Sequence, residues 1–279
     1  MALLCFLAQT AGSAPSFAVT EALVAGVFCE SIAEALQRSR IIEDELRKAL
    51  DAGALDVHYQ PIVNGTTGAI ERVEALARWH HAELGWISPG EFVPIAEECG
   101  LIHRVGQLVL ERACTDGAGW PGLSIAVNIS SEQLRRGDLV SVVLDALRLS
   151  GLPAARLVLE VTETALIGDE AAAGAQLSAV RALGARLALD DFGTGYSSLI
   201  YLRRFDFDLL KIDRSFIKDV ETSAEASSLV LSIIGLAHAL GLDVVAEGVE
   251  AVEQQQFLIR ANCNYLQGYL FAKPMPAEA

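Results

Sequence analysis

The sequence predicts an α/β fold, a closed β/α barrel, and three observations carry that prediction. From residue 55 onward, apolar runs of strand length alternate with stretches of helical periodicity. Seven or eight such runs fall within about 225 residues, close to the roughly 250 that a barrel of this kind takes. Four of them, LVLEVTE (157–163), LALDD (187–191), LLKID (209–213) and VVAE (244–247), stop at an acidic group that the middle of a buried strand could not hold. A parallel sheet that delivers carboxylates at its strand ends is building a site, because α/β folds place their chemistry there. An open doubly wound sheet is the alternative, but no G-x-G-x-x-G opens a helix after the first strand.

The elements follow in order. Residues 1–29 start apolar but have no Lys or Arg before the apolar stretch, so they read as a tail or the remnant of an upstream region rather than a signal peptide. Residues 30–51 place Ile32, Leu36, Ile41, Ile42, Leu46 and Leu50 at helical spacing, which predicts an amphipathic lead-in helix ahead of a barrel over 52–279. LDVHYQPIV (55–63) and IERVEALARW (70–79) read as strands around the turn NGTTG. Helices are predicted over 90–99, entered at Ser88-Pro89, and over 101–117. SIAVNIS (124–130) is a strand and 131–150 is helical, with Gly151-Leu152-Pro153 punctuating the return to 157–163. Next come a helix over 169–183, the strand RLALDD (186–191), the glycine-rich loop DFGTGYSS (191–198) and a short helix near 198–203. The strand FDLLKID (207–213), a helix over 222–240, the strand LDVVAE (242–247), a helix over 251–260 and a short strand near 263–267 complete the pattern.

Composition narrows the function. The 21 basic and 36 acidic residues leave a net charge of −15, which argues against a nucleic-acid polymer or an anionic membrane as the main partner. No uninterrupted apolar run reaches about 18 residues, so no membrane span is expected. The five cysteines are dispersed, odd in number and without a C-x-x-C pair, as expected of free thiols in a reducing cytoplasm. His80 and His81 follow Trp79 and read as exposed loop residues, since no ligand partner is spaced with them.

The strand ends offer Glu74, Asn128, Glu160, Asp190, Asp191, Asp213 and Glu247. Every one is an oxygen donor, which favours Mg²⁺ or Mn²⁺ over Zn²⁺. Adjacent Asp190 and Asp191 can each take a different ion, as a two-metal site requires. Lys211 stands two residues before Asp213, so both side chains are expected on one face of the strand, either as an ion pair or as a functional lysine. Arg78, four residues after Glu74, is placed to grip a phosphate; a solvated surface charge is the other reading. Gly193 and Gly195 allow the loop between them to close over a ligand or simply to turn.

With these residues in place, the chain resembles the EAL-domain family of bacterial cyclic di-GMP phosphodiesterases over about residues 40–276. The likeness runs through YQPI (59–62), EALARW (74–79), FVPIAEE (92–98), NIS with Gln133, EVTE (160–163), DDFGTGYSSL (190–199), LKIDRSF (210–216), AEGVE (246–250) and QGYLFAKP (267–274). It implies a modified TIM-type (β/α)8 barrel with one antiparallel strand and a site for two Mg²⁺ or Mn²⁺ ions. By resemblance, Glu74, Asn128, Glu160 and Asp190 would hold one ion, and Asp190, Asp191 and Glu247 the other. Lys211 would orient the attacking water, Glu247 is a candidate base, and Gln267 would support the site. Gln60, Leu76, Arg78 and Asp213 would contact substrate. Glu163 and Glu250 would anchor the loop after Asp191, which also belongs to a homodimer contact. Many relatives carry a GGDEF domain upstream; residues 1–29 are too few for one, so a regulatory domain upstream or in a separate chain is expected.

The implied reaction is in-line attack of water on one phosphodiester of cyclic di-GMP, giving linear pGpG. Two cations would also explain how so acidic a chain accepts an anionic substrate. Two other readings use the same residues: a receptor that binds cyclic di-GMP without cleaving it, and an enolase-like barrel that abstracts a proton beside a carboxylate. The YQPI and QGY signatures speak against the last.

Overall fold

The computed structural model describes residues 17–167, 169–193 and 198–279, and the chain divides between Lys48 and Ala49 into two units. The expected tail lies outside the described residues up to residue 16. Helix α1, Phe17–Ala52, extends further toward the N-terminus than the expected 30–51. Its apolar stripe is narrower than the periodicity suggests: Ile42 and Leu46, one turn apart, are fully buried, whereas Ile32, Leu36 and Ile41 are exposed. Glu43–Arg47 (3.0 Å) and Glu45–Lys48 (2.7 Å) pair along its surface.

The second unit is a closed barrel. Its strands are β1 (Leu55–Asn64), β2 (Ile70–His81), β3 (Gly85–Ile87), β4 (Ser124–Ile129), β5 (Leu157–Thr162), β6 (Arg186–Phe192), β7 (Leu209–Ile212), β8 (Asp243–Ala246) and β9 (Tyr265–Gln267). The order β1-β9-β8-β7-β6-β5-β4-β2 closes through β1–β2 pairing, with β3 a hairpin extension of β2. Strand β1 runs antiparallel to both neighbours, and the other barrel neighbours pair in parallel. The β1–β2 turn imposes that reversal, because a connection this short can join only antiparallel strands. Asn64 Oδ1 accepts the amides of Thr66 (2.9 Å) and Thr67 (3.0 Å), and Gly68 takes a φ of 70°.

The helices of this unit are α2 (Pro89–Glu98), α3 (Ile102–Ala118), α4 (Ser131–Arg136), α5 (Leu139–Ser150), α6 (Glu170–Ala182), α7 (Ser198–Arg204), α8 (Arg214–Ile217), α9 (Ala224–Ala239) and α10 (Val252–Arg260). Their starts are written in the sequence. Ser88 caps α2 through Gly90 N, Ser130 and Gln133 form a capping box on α4, and Ser223 caps α9 through Ala226 N. Strand β7 begins at Leu209 rather than at Phe207, because Asp208 leaves the ladder to accept the Leu187 amide (2.9 Å) and Phe207 packs against Phe205. Cys114 and Cys263 are buried free thiols, and burial pushes both up to about 12. No helix among the described residues is long and apolar enough to cross a membrane.

Period-two alternation stacks the barrel interior in layers. Ile62, Ala126, Val158, Ala188, Leu209 and Val245 form an apolar floor, with Tyr265 packed against it. Two residues further toward the parallel strands' C-terminal ends stand Gln60, Asn128, Glu160, Asp190, Lys211, Glu247 and Gln267. On β2 the corresponding pair is Arg72 and Glu74, and Arg72 lies 4.0 Å over the Tyr265 ring with Asp243 at 3.4 Å. The apolar layer closes the barrel beneath the polar layer.

Gly268 locks the last strand beside that layer. A methyl there would sit 2.0 Å from Val249 O, where Val249 N already donates to Gln267 O at 3.0 Å. Gly268→Ala is expected to lower stability by about 1–3 kcal/mol, read as a drop in melting temperature. Gly235→Ala on α9, where the added methyl meets open space, should leave the melting temperature unchanged or raise it.

Candidate active site

Lys211 organises the polar layer. Its side chain is 1% exposed, and Nζ lies 2.6 Å from Glu160, 2.6 Å from Glu247, 3.1 Å from Asp190 and 3.9 Å from Glu74. Burial would pull the ammonium down, yet Asp190, Glu160, Glu247 and Glu74 together raise it well above its ordinary value. Burial pushes Glu160 well above the usual carboxylate range against the opposing pull of Lys211. It pushes Glu247 up to about 8 in the same way. The expected Lys211–Asp213 pair does not form. Strand β7 ends at Ile212, so Asp213 leaves the alternation and caps α8 instead, accepting Ser215 N at 3.0 Å.

Asp190 and Asp191 should point to opposite faces of a regular strand. They converge because Asp191 adopts a φ of 54° and the β6–β7 register shifts between Leu189 and Phe192. Asp190 Oδ1 accepts the Asp191 amide at 2.8 Å. Asp190, Asp191 and Glu247 each bring a carboxylate oxygen within 4.8 Å of the others, so this cluster can hold a metal ion. Burial, then Asp190, then Asp213 push Asp191 up to about 6.

A chain of amides braces Glu74. Gln267 Nε2 donates to Glu74 Oε2 at 2.7 Å and to Gln60 Oε1 at 3.2 Å, and Asn128 Nδ2 donates to Glu74 Oε1 at 2.6 Å. Gln60 Nε2 reaches Ala272 O at 3.2 Å. Leu76 and Arg78 line an adjoining cavity of about 500 Å³ with Pro89, Val93, Ile102 and Thr162. The Arg78 guanidinium donates to Ala77 O at 2.9 Å, and burial lowers its pKa. Glu163 accepts the Gly193 amide at 2.8 Å, at the start of the loop it was expected to anchor. Glu250 is exposed, its backbone amide bonded to Gln254; loop residues 194–197 lie outside the described residues.

Other residues here escape sequence reasoning. The cavity wall from α2 and α3 is lined by Val93, Ile102, Val105 and Val109, whose apolar spacing reads only as helix packing. His80 and His81 belong to strand β2 rather than a loop; His81 Nδ1 accepts the Glu83 and Leu84 amides at 3.2 and 3.1 Å.

A family profile described as EAL domain matches residues 43–274. The chain belongs to the EAL domain family. The cyclic di-GMP phosphodiesterase NbdA of Pseudomonas aeruginosa is 45% identical over 243 residues, which are 85% of this chain and 31% of that protein. The bifunctional diguanylate cyclase/cyclic di-GMP phosphodiesterase MucR of the same organism is 43% identical over 251 residues, 88% of this chain and 36% of that protein. The chain thus spans about a third of the length of the curated relatives it matches. Among solved structures, the PaMucR phosphodiesterase in complex with c-di-GMP superposes with a TM-score of 0.81 at 43% identity, covering 85% of this chain and 98% of that one. The EAL enzyme Bd1971, in its cAMP and cyclic-di-GMP bound form, gives a TM-score of 0.83 at 30% identity, covering 93% and 73%.

The EAL-domain residues suit divalent metal on their own chemistry. The donor set is all oxygen, and Gln267 Oε1 is buried with no hydrogen-bond partner among the described residues. Burial and the neighbouring carboxylates favour the protonated forms of Glu247 and Asp191 in the folded, metal-free state relative to the unfolded chain. Their raised pKa values therefore make stability fall as pH rises through their folded pKa values, about 6 for Asp191 and about 8 for Glu247. In EDTA, the contribution of these groups is expected to decline from about pH 5 to about pH 8, read by urea unfolding. Saturating Mg²⁺ should remove or reverse that slope, because metal replaces the protons.

Proposed function

We propose that this chain hydrolyses one phosphodiester bond of cyclic di-GMP to linear pGpG, with two Mg²⁺ or Mn²⁺ ions and in-line attack by water. The observation that carries the reading is the excess of carboxylates around one buried ammonium at the strand ends, in a chain of the EAL domain family. MucR and NbdA are named for this chemistry. Glu74, Asn128, Glu160 and Asp190 are the residues for one ion, and Asp190, Asp191 and Glu247 for the other. When bound, the ions would neutralise the phosphate and make water a stronger acid.

The protein's own groups then divide the work. Lys211 holds Glu160, Asp190 and Glu247 apart at hydrogen-bond distance and orients the attacking water. Glu247, 2.6 Å from Lys211 Nζ, is the candidate base for that water's proton once bound metal has displaced its own. Gln267 keeps Glu74 aimed, while Gln60, Leu76, Arg78 and Asp213 line the path of the substrate. Glu163 and Glu250 steady the loop after Asp191. Helix α1 leads into the barrel, and the chain works as a cytoplasmic homodimer governed by an upstream or separate regulatory domain.

Incubation with cyclic di-GMP and Mg²⁺, with chromatography for pGpG, tests the reading. Glu74→Ala and Lys211→Ala are expected to keep the barrel folded and to lower turnover by about 10²-fold or more; near-normal turnover would overturn the role assignments. Ca²⁺ as sole metal should suppress hydrolysis, since its larger, looser shell does not keep the tight octahedral geometry of Mg²⁺. Binding without cleavage in excess Mg²⁺ would instead make the chain a receptor.

A further inference from the structure

We propose that Trp86 is a stacking platform for a purine base of the cyclic dinucleotide, held in the wall of the site by His58 and His80; this rests on the substrate reading above. The β1–β2 register pairs Gln60 with Glu74, His58 with Leu76 and Asp56 with Arg78, and the β2–β3 register pairs His80 with Trp86. Directly paired residues in an antiparallel ladder share a face, and alternate residues along a strand return to it. One continuous face therefore starts at Gln60 and Glu74 in the polar layer. It climbs through Leu76 and His58, then Arg78, to His80 and Trp86. The other face of β2 is packed core: Trp79 is buried, its ring 5.7 Å from Phe92.

Trp86 belongs to the open face. Its ring lies 5.0 Å from His80 and 6.1 Å from His58, both at interplanar angles of 71°. Neither imidazole lies flat on the indole, and Trp86 remains 63% exposed. The two contacts fix its position while leaving π surface uncovered. They also fix its height. His58 stands opposite Leu76, one two-residue step, about 7 Å, along the strand from Glu74. The indole thus reaches back toward the carboxylates, and a base attached to a phosphate held there can meet it. Stacking suits this wall because it needs no positive charge in a protein of net charge −15.

Titration of the full chain with cyclic di-GMP in Ca²⁺, the metal expected to suppress hydrolysis, followed by indole fluorescence, tests the proposal. Trp86→Ala is expected to weaken binding about tenfold or more, with Trp86→Phe retaining most of the affinity. The quench seen in the wild type should be largely lost in Trp86→Phe. In Mg²⁺, the Trp86→Ala defect should fall on KM rather than on kcat. Affinity in Trp86→Ala within about twofold of wild type, or a full quench in Trp86→Phe, would overturn the platform and leave this face to another partner. A wild type that shows the Trp86-dependent quench but makes no pGpG would overturn the hydrolytic reading alone. Hydrolysis with KM unchanged in Trp86→Ala would overturn the platform alone, and a wild type that neither binds nor cleaves overturns both.

Discussion

Lys211 places one ammonium within 4 Å of four carboxylates inside the barrel, where neither sign of charge is stable alone. The carboxylates keep the lysine charged, and the lysine lets several of them share a space that water cannot fill. The balance remains incomplete. Asp191 and Glu247 keep pKa values near 6 and 8, and Gln267 Oε1 is buried without a partner among the described residues. Asp190, Asp191 and Glu247 lie close enough together to hold a metal ion.

The barrel makes that crowding affordable through its layers. Below each polar residue, two positions away along its strand, stands a side chain of the apolar floor or, on β2, Arg72 over Tyr265. Each strand therefore delivers one functional group at one height. Where two groups are needed from one strand, the backbone departs from regularity: the left-handed Asp191 and the shifted β6–β7 register turn two successive aspartates toward one cluster. Strand β1 reverses direction and still matches this layering, because Gln60 faces Glu74 across the antiparallel pair.

Most of this was legible in the sequence, for a physical reason. A buried strand tolerates a charge only where other charges meet it, so Val/Leu-rich runs interrupted by Glu160, Asp190 and Glu247 announce both the strands and the layer where their acids meet, although β5 and β6 continue two residues past Glu160 and Asp190. The same logic failed at Asp213. There the run ends one residue before the acid, and a carboxylate just past a strand serves equally well as a helix cap. The convergence of Asp190 and Asp191 was readable only as adjacency, because a positive φ at a non-glycine residue leaves no compositional trace. Strand β3 was invisible for its length, three residues at Gly85–Ile87, yet its register carries Trp86 onto the wall of the site. The full length of α1 was missed because residues 17–29 are apolar nearly all round, with Glu21 the one charge, and so offer no polar face for periodicity to detect.

In the proposed reaction, two divalent cations that share Asp190 complete the carboxylates around Lys211. Equilibrium dialysis with Mn²⁺, with bound metal counted by electron paramagnetic resonance, tests it most directly. Two Mn²⁺ per chain are expected in the wild type and fewer in Asp190→Asn. A wild type that binds no Mn²⁺ at millimolar concentration, or an Asp190→Asn variant that keeps both ions at wild-type affinity, would contradict it.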